Sequence, residues 1–234
     1  LKEKNKFKGF VNGIYNIKAR KEFKKILNQY SNEDTVINIH GWTKVLSSSI
    51  FSIAFRKKFK VCLTLHDYFS ICPNGGFFDY KKNKICKLKP GSIKCIIRNC
   101  DSRNRFFKLY RLLRLFVQNK IVRLPKKLKY AIGISNFSVS KIKPYLPNTR
   151  IKIIYNPLDL ENVNKTDVKS NYYYTYVGRL SQEKGLREFC KSLKEYKNVL
   201  VIGDGPLKEE LEKGYPNIQF VGWKNKQEIA EYLK

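Results

Sequence analysis

Three groups of residues have the types and spacing that chemistry needs. The first is Gly178-Arg179-Leu180-Ser181-Gln182-Glu183-Lys184-Gly185, directly after the apolar run 172–177. A strand ending in Gly178 lets backbone approach a ligand closely. Arg179 and Lys184 then bring two cations to the start of an expected helix, whose N-terminus is itself electropositive. An arginine fork, a lysine point charge and free backbone N–H groups suit a diphosphate; the pair reads equally well as two surface cations on a loop. The second group is His40 and the dipeptide His66-Asp67, each following a short apolar run. The third is Cys72, Cys86, Cys95 and Cys100, separated by 13, 8 and 4 residues. Four thiolates could close a structural zinc site and pin a segment that has little core of its own. Only the last gap matches common ligand spacing, so four reduced, partly buried thiols are the alternative. Disulfides are disfavoured in a reducing cytoplasm.

Elements that would position these residues follow from hydrophobic periodicity. Ala19 to Tyr30 predicts an amphipathic helix with Phe23, Ile26 and Leu27 on one face. Val36–Ile39 predicts a buried strand ending at His40, Thr43–Lys57 a helix, and Val61–Leu65 a strand ending at His66. Residues 68–101 are an irregular Cys-rich insertion, followed by a helix from Arg103 to Gln118. Ala131–Ile134 and Ile151–Ile154 predict two more strands, with Asn136 as a candidate cap for the helix between them. Beyond a polar, aperiodic stretch come a strand at Tyr172–Val177, a helix at Gly185–Tyr196 and a strand at Val199–Ile202. A helix near Leu207–Lys213, a strand at Ile218–Val221 and a helix from Lys226 complete the chain. Alternation of strand and helix, with polar residues after each strand, predicts parallel α/β sheets that bind ligands at their carboxyl ends. Cys62 and Cys190 fall in a strand and a helix and are expected in the core.

Composition narrows the classes. The chain has 234 residues, 42% apolar and 14% aromatic, enough to bury a core, so general disorder is excluded. No apolar run approaches the roughly 18–20 residues of a membrane span. No charged-then-apolar leader is present at the N-terminus, which favours a cytoplasmic setting. The formal net charge is +29, unevenly placed: residues 1–150 carry 34 basic and 7 acidic side chains, a net of +27, whereas residues 151–234 carry 14 and 12, a net of +2. Nucleotide bias could raise the lysine total; it does not explain that split. From Arg103 to Lys129 there are ten basic residues and no acidic one, with Phe and Leu interleaved. A basic helix bearing bulky apolar residues fits interfacial membrane docking, although many of those residues must also serve the domain core. No stacking motif for nucleic acid is present, so no specific nucleic-acid partner is expected.

Gly178-Arg179-Leu180-x-x-Glu183-Lys184-Gly185 resembles the donor-phosphate motif of family 4 glycosyltransferases, retaining enzymes with the GT-B fold. Asn156-Pro157-Leu158-Asp159 resembles the turn after the acceptor domain. Gly203-Asp204-Gly205-Pro206 resembles the family's glycine-rich loop, and Phe220-Val221-Gly222 the strand end near the nucleotide base. Thr64-Leu65-His66-Asp67 resembles the family's strand-end histidine, and the stretch from His66 through Cys72-Pro73-Asn74-Gly75-Gly76 resembles a subgroup associated with bacterial surface polysaccharides. The resemblance covers roughly residues 35 to 234. It implies two Rossmann-like α/β domains facing a cleft: an acceptor-side domain at 1–156 containing the insertion 68–101, a linker at 157–170, and a donor domain at 171–234. The expected Glu-x7-Glu motif and an early glycine-rich loop do not occur. With Leu1 first and no Met, the chain reads as a piece truncated at both ends.

By that resemblance, Arg179 and Lys184 hold the donor pyrophosphate and stabilise the departing nucleoside diphosphate, chemistry that requires no metal cofactor. His66 is the third catalytic residue, across the cleft near the transferred sugar and the diphosphate. Gly178, Gly203, Gly205 and Val221 border the donor, and His40 and Asp67 lie on the acceptor side, His40 either in the chemistry or as support. The expected function is transfer of a sugar from a nucleotide sugar to a growing, lipid-linked glycan, peripherally at the inner face of the plasma membrane. The alternative is a non-catalytic basic adaptor for anionic membrane or nucleic acid.

Overall fold

A computed structural model describes residues 6–43, 45–157, 169 and 171–233. The chain divides into two compact units, Leu1–Pro157 and Leu158–Lys234. The expected linker 157–170 lies outside the described residues except for Pro157 and Lys169, as do Leu158 and Asp159 of the turn before it.

Unit 1 begins with helices α1 (Lys6–Ile14) and α2 (Ile17–Leu27), then strand β1 (Val36–Ile39), helix α3 (Ser49–Arg56) and strand β2 (Lys60–Leu65). A hairpin of β3 (Phe78–Asp79) and β4 (Lys84–Ile85), the short helix α4 (Ile93–Ile97) and helix α5 (Arg105–Phe116) follow. The chain then runs through a π-helical turn (Val117–Ile121), α6 (Leu124–Lys127), β5 (Tyr130–Gly133), α7 (Asn136–Ile142) and β6 (Arg150–Ile153). Among the described residues the main sheet is parallel throughout, in the order β1-β2-β5-β6. Val61, Leu63, Thr64 and Leu65 of β2 are all buried, as in an interior parallel strand covered on both faces. Phe51, Ile53, Leu124, Leu128, Ile142 and Leu146 seal the core around them.

Unit 2 repeats the logic on a smaller scale. It contains β7 (Tyr174–Val177), a 3₁₀ turn (Gln182–Lys184), α8 (Leu186–Ser192), β8 (Val199–Ile202), α9 (Lys208–Gly214), β9 (Gln219–Gly222) and α10 (Lys226–Tyr232). Its sheet is parallel in the order β7-β8-β9, and every residue of β8 is buried. Leu180, Leu186, Cys190, Leu207 and Leu211 form its core. Among the described residues no helix is long and apolar enough to cross a membrane.

Three local expectations need correction. The helix expected from Thr43 begins only at Ser49. Ser47 takes a positive φ of 55°, and its hydroxyl receives the backbone N–H of Asn16 at 2.8 Å. The serine run therefore bonds locally and competes with helix propagation. The cap of α7 is Ser135, whose hydroxyl accepts from the Ser138 N–H, and Asn136 is the first helical residue. The helix expected from Gly185 to Tyr196 stops at Ser192, and Gly185, at φ 73°, forms its left-handed entrance.

Candidate functional site

In unit 2 the strand ends converge. Gly178 follows β7, Gly203 follows β8 and Trp223 follows β9, and a cavity of about 400 Å³ opens among them. Gly178, Arg179, Gly203, Asp204, Trp223 and Lys224 supply most of its lining. Parallel sheets leave such a crevice where strands end and the chain turns away into helices. Lys184 and Gly205 lie outside that lining. Val221 lies one step inside β9, where a register shift near Ile202 sets Gly222 opposite that residue. Trp223, 72% exposed, lines the cavity, and Val221 does not. An exposed tryptophan directly after an apolar strand was the available signal for it.

The loop bearing the two cations is tied from below. The Tyr176 hydroxyl donates to the carbonyls of Arg179 and Lys184, at 3.2 and 3.4 Å. Burial, and then the negative charge of Glu183, push the Tyr176 phenol up, so it remains a donor at neutral pH. Leu180, fully buried, anchors the loop's centre, its N–H bonded to the Asp204 carbonyl and its own carbonyl accepting from the Leu207 N–H. Gly203 and Gly205 are needed where these two loops meet. A Cβ at Gly203 would collide with the Gly178 carbonyl oxygen, and one at Gly205 would lie 2.5 Å from the Leu180 carbonyl oxygen. The close approach that demands glycine is thus loop against loop. Arg179 and Lys184 are exposed, and among the described residues no carboxylate pairs with either. Asp204 stands in the same cavity, its carboxylate accepting the Gly205 N–H at 2.7 Å. Helix α8 starts beyond Gly185, so the cations sit on the turn before it.

In unit 1 the two histidines meet. His40 Nδ1 and His66 Nε2 are 2.9 Å apart, both exposed at the carboxyl ends of β1 and β2. Thr64 Oγ1 donates to Asn38 Oδ1 at 3.0 Å and lies 3.4 Å from His40 Nε2. Donor and acceptor are exchangeable between the two rings, so the His40–His66 bond can run in either direction according to the tautomers. Period-2 alternation placed each histidine at a strand end; only adjacency of β1 and β2 made them partners. His40 also borders a groove of about 670 Å³ lined largely by apolar residues of α2, β1 and α3. Asp67 turns back on its own loop, its carboxylate accepting the Phe69 N–H at 2.9 Å.

The Cys-rich segment is held by buried charges. Asp79 accepts from Arg98 Nε at 2.5 Å and from the N–H groups of Lys81 and Lys82, and Asp101 pairs with Arg111 at 3.0 Å. Burial pushes the Asp79 carboxyl up, but the Arg98 hydrogen bond, the amides and the Arg98 charge together hold it below the usual carboxylate range. Cys72, Cys95 and Cys100 are buried, Cys86 is half-buried, and none forms a disulfide. Cys100 is near enough to feel the charges of Cys72, Cys86 and Cys95. Lys108, fully buried, donates to Cys100 Sγ at 3.3 Å and Cys95 Sγ at 3.7 Å. Burial pushes the Cys100 thiol up while the Lys108 charge and hydrogen bond draw it back. Four sulfurs are a suitable donor set for zinc, yet among the described residues no three His, Cys, Asp or Glu side chains are arranged to hold a metal ion. Cys190 is fully buried in the unit 2 core as expected, whereas Cys62, also expected in the core, is only half-buried in β2.

No protein-family model matches the chain. It is 23% identical over 195 residues to a Klebsiella pneumoniae protein described as an uncharacterized 42.6 kDa protein in the cps region. That match takes in 82% of this chain and 45% of the relative, so the chain spans less than half of that protein's length.

Proposed function

We propose that the chain is part of a retaining glycosyltransferase of family 4 and GT-B type, acting in surface-polysaccharide biosynthesis. It would move a sugar from a nucleoside-diphosphate donor to a growing, lipid-linked glycan. The observation that carries this proposal is the unpaired pair Arg179 and Lys184 on a tied loop beside a strand-end cavity. Similarity to a protein of a cps region agrees with that setting.

The chemistry follows from charge. An acceptor hydroxyl oxygen bonds to the anomeric carbon of the donor sugar, the bond from that carbon to the diphosphate oxygen breaks, and its electron pair leaves with the diphosphate. The hydroxyl proton passes to the departing diphosphate. Negative charge grows on the leaving group, and two fixed cations stabilise it more in the transition state than in the ground state. Trp223 offers a flat apolar face to the base, and Gly178 leaves room for the phosphates. His66, oriented by His40, serves the acceptor side as a hydrogen-bond partner for a sugar hydroxyl.

The test uses the full-length protein and reads nucleoside diphosphate released with acceptor present. Arg179→Ala and Lys184→Ala should each cost about 10²-fold or more in turnover, the scale for losing a transition-state charge partner. Turnover unchanged in both variants would remove the diphosphate assignment. The high positive charge of residues 1–150 also fits a non-catalytic adaptor on an anionic surface; no release with any nucleotide sugar, alongside intact membrane binding, would favour it.

A further inference from the structure

Helix α5 is amphipathic in the wrong sense for water. Its sequence alternates cations with large apolar residues, and solvent would be expected to take the cations. Instead Lys108, Arg111 and Arg114 turn inward. Lys108 binds the Cys95 and Cys100 sulfurs, Arg111 pairs with Asp101 and donates to the Asn74 carbonyl, and Arg114 donates to the Pro73 carbonyl while stacking on Phe69. Burial pulls the Arg114 guanidinium down to about 10, so it is still charged at neutral pH. The outward stripe is Phe106, Leu109, Leu113 and Phe116, at 58%, 54%, 48% and 55% exposure, with one face of Phe106 stacked on Phe10 of α1. Spacings of three, four and three residues put all four on one helix face. Ile121, in the turn that follows, is exposed as well.

The stretch of chain that carries this stripe is strongly basic. Arg103, Arg105, Lys120, Arg123, Lys126 and Lys127 are exposed, and no acidic residue occurs between 103 and 129. We propose that the outer face of α5 docks on an anionic lipid bilayer. The four apolar side chains enter the boundary between headgroups and acyl chains, and the flanking lysines and arginines meet the lipid phosphates. Charge complementarity selects this occupant. A second copy would bring the same acid-free, basic stretch against this one. Nucleic acid would use the cations but gain nothing from burying Leu109 and Leu113. The docking stands independently of sugar transfer, because none of its residues belongs to the donor site.

Sedimentation of the full chain with phosphatidylcholine vesicles, with and without about a third phosphatidylglycerol, tests it, the anionic fraction supplying the surface potential that recruits basic segments. Binding is expected to the anionic vesicles and to weaken as salt rises. Leu109→Gln with Leu113→Gln, both on the exposed face, should lower that binding at least about tenfold, or about 1.4 kcal/mol, with unchanged circular dichroism and melting temperature. Equal binding by wild type and the double variant, or equal binding to neutral vesicles, would overturn the proposal. So would a wild-type dimer that the double variant converts to monomer, or competition by RNA that the double variant abolishes.

Discussion

Gly203 and Gly205 show how much a single backbone position can decide. Their φ values, 142° and 157°, lie where side chains are strained, and a Cβ at either would strike a carbonyl of the facing loop. Gly203→Ala or Gly205→Ala should therefore cost about 2–3 kcal/mol, the scale of a strained non-glycine position, and should weaken donor binding because the loop carrying Arg179 is displaced. Gly214→Ala is the control. An added Cβ there meets nothing within 4 Å, and the residue ends α9, so a gain of about 0.5 kcal/mol is expected. Thermal melts of the three variants read the difference; a loss at Gly214 equal to that at Gly205 would remove loop collision as the cause. Lys108 is a second case. Replacing it with Met takes away the charge and hydrogen bond that lower the Cys100 thiol, leaving burial and the neighbouring Cys86 and Cys95, which all raise it. The pH midpoint of Cys100 alkylation, followed by mass spectrometry, should move upward in Lys108→Met.

At the scale of elements, the insertion 68–101 is braced internally by the Asp79–Arg98 ion pair and tied to α5 by Asp101–Arg111. The Asp79 carboxyl is held low in the folded state, so its pairing with Arg98 contributes fully above its unfolded pKa of about 3.9. That contribution fades as pH falls through the lower folded value. Asp79→Asn should accordingly lower the melting temperature at pH 7 and lower it less near pH 2.5; an identical deficit at both would mean the carboxylate charge is irrelevant. The same segment explains where sequence reasoning fell short. Ile93 and Ile97 are exposed, whereas the charged Asp79, Asp101 and Lys108 are buried. Periodicity ranks residues by polarity, and polarity misleads wherever charges are buried in mutual contact. The bounds of β1 and β8 were legible to the residue, each a short apolar run between polar stretches. Yet β1, expected to be buried, buries only Ile39, while β8 is buried throughout. Helix α3 was not legible, since three consecutive serines can bond locally as readily as continue a helix.

For the whole molecule, the division of charge parallels the division into units. Residues 1–150, at +27, fall within unit 1, which carries the basic helix, while the nearly neutral remainder carries the exposed Arg179 and Lys184 that the proposed donor site uses. Nucleoside diphosphate should therefore stabilise the full-length protein by binding the folded state, about 2.7 kcal/mol at a hundredfold excess over Kd. Arg179→Ala should abolish that shift while leaving vesicle binding intact. A shift unchanged in Arg179→Ala would place the nucleotide elsewhere.

By itself the sequence determined the alternation of strands and helices, the strand-end positions of His40, His66 and Gly178, and the imbalance of charge. These are local properties, set by side-chain type and by repeats of two and 3.6 residues. The tertiary structure alone decided which residues became partners. Parallel pairing of β1 and β2 joined His40 to His66, 26 residues apart. The meeting of two loops turned Gly203 and Gly205 into a packing requirement. The orientation of α5 put Lys108, Arg111 and Arg114 inside and left Phe106, Leu109, Leu113 and Phe116 to the surroundings. A helix pattern states that two faces differ; the neighbours available to each face determine which one is buried.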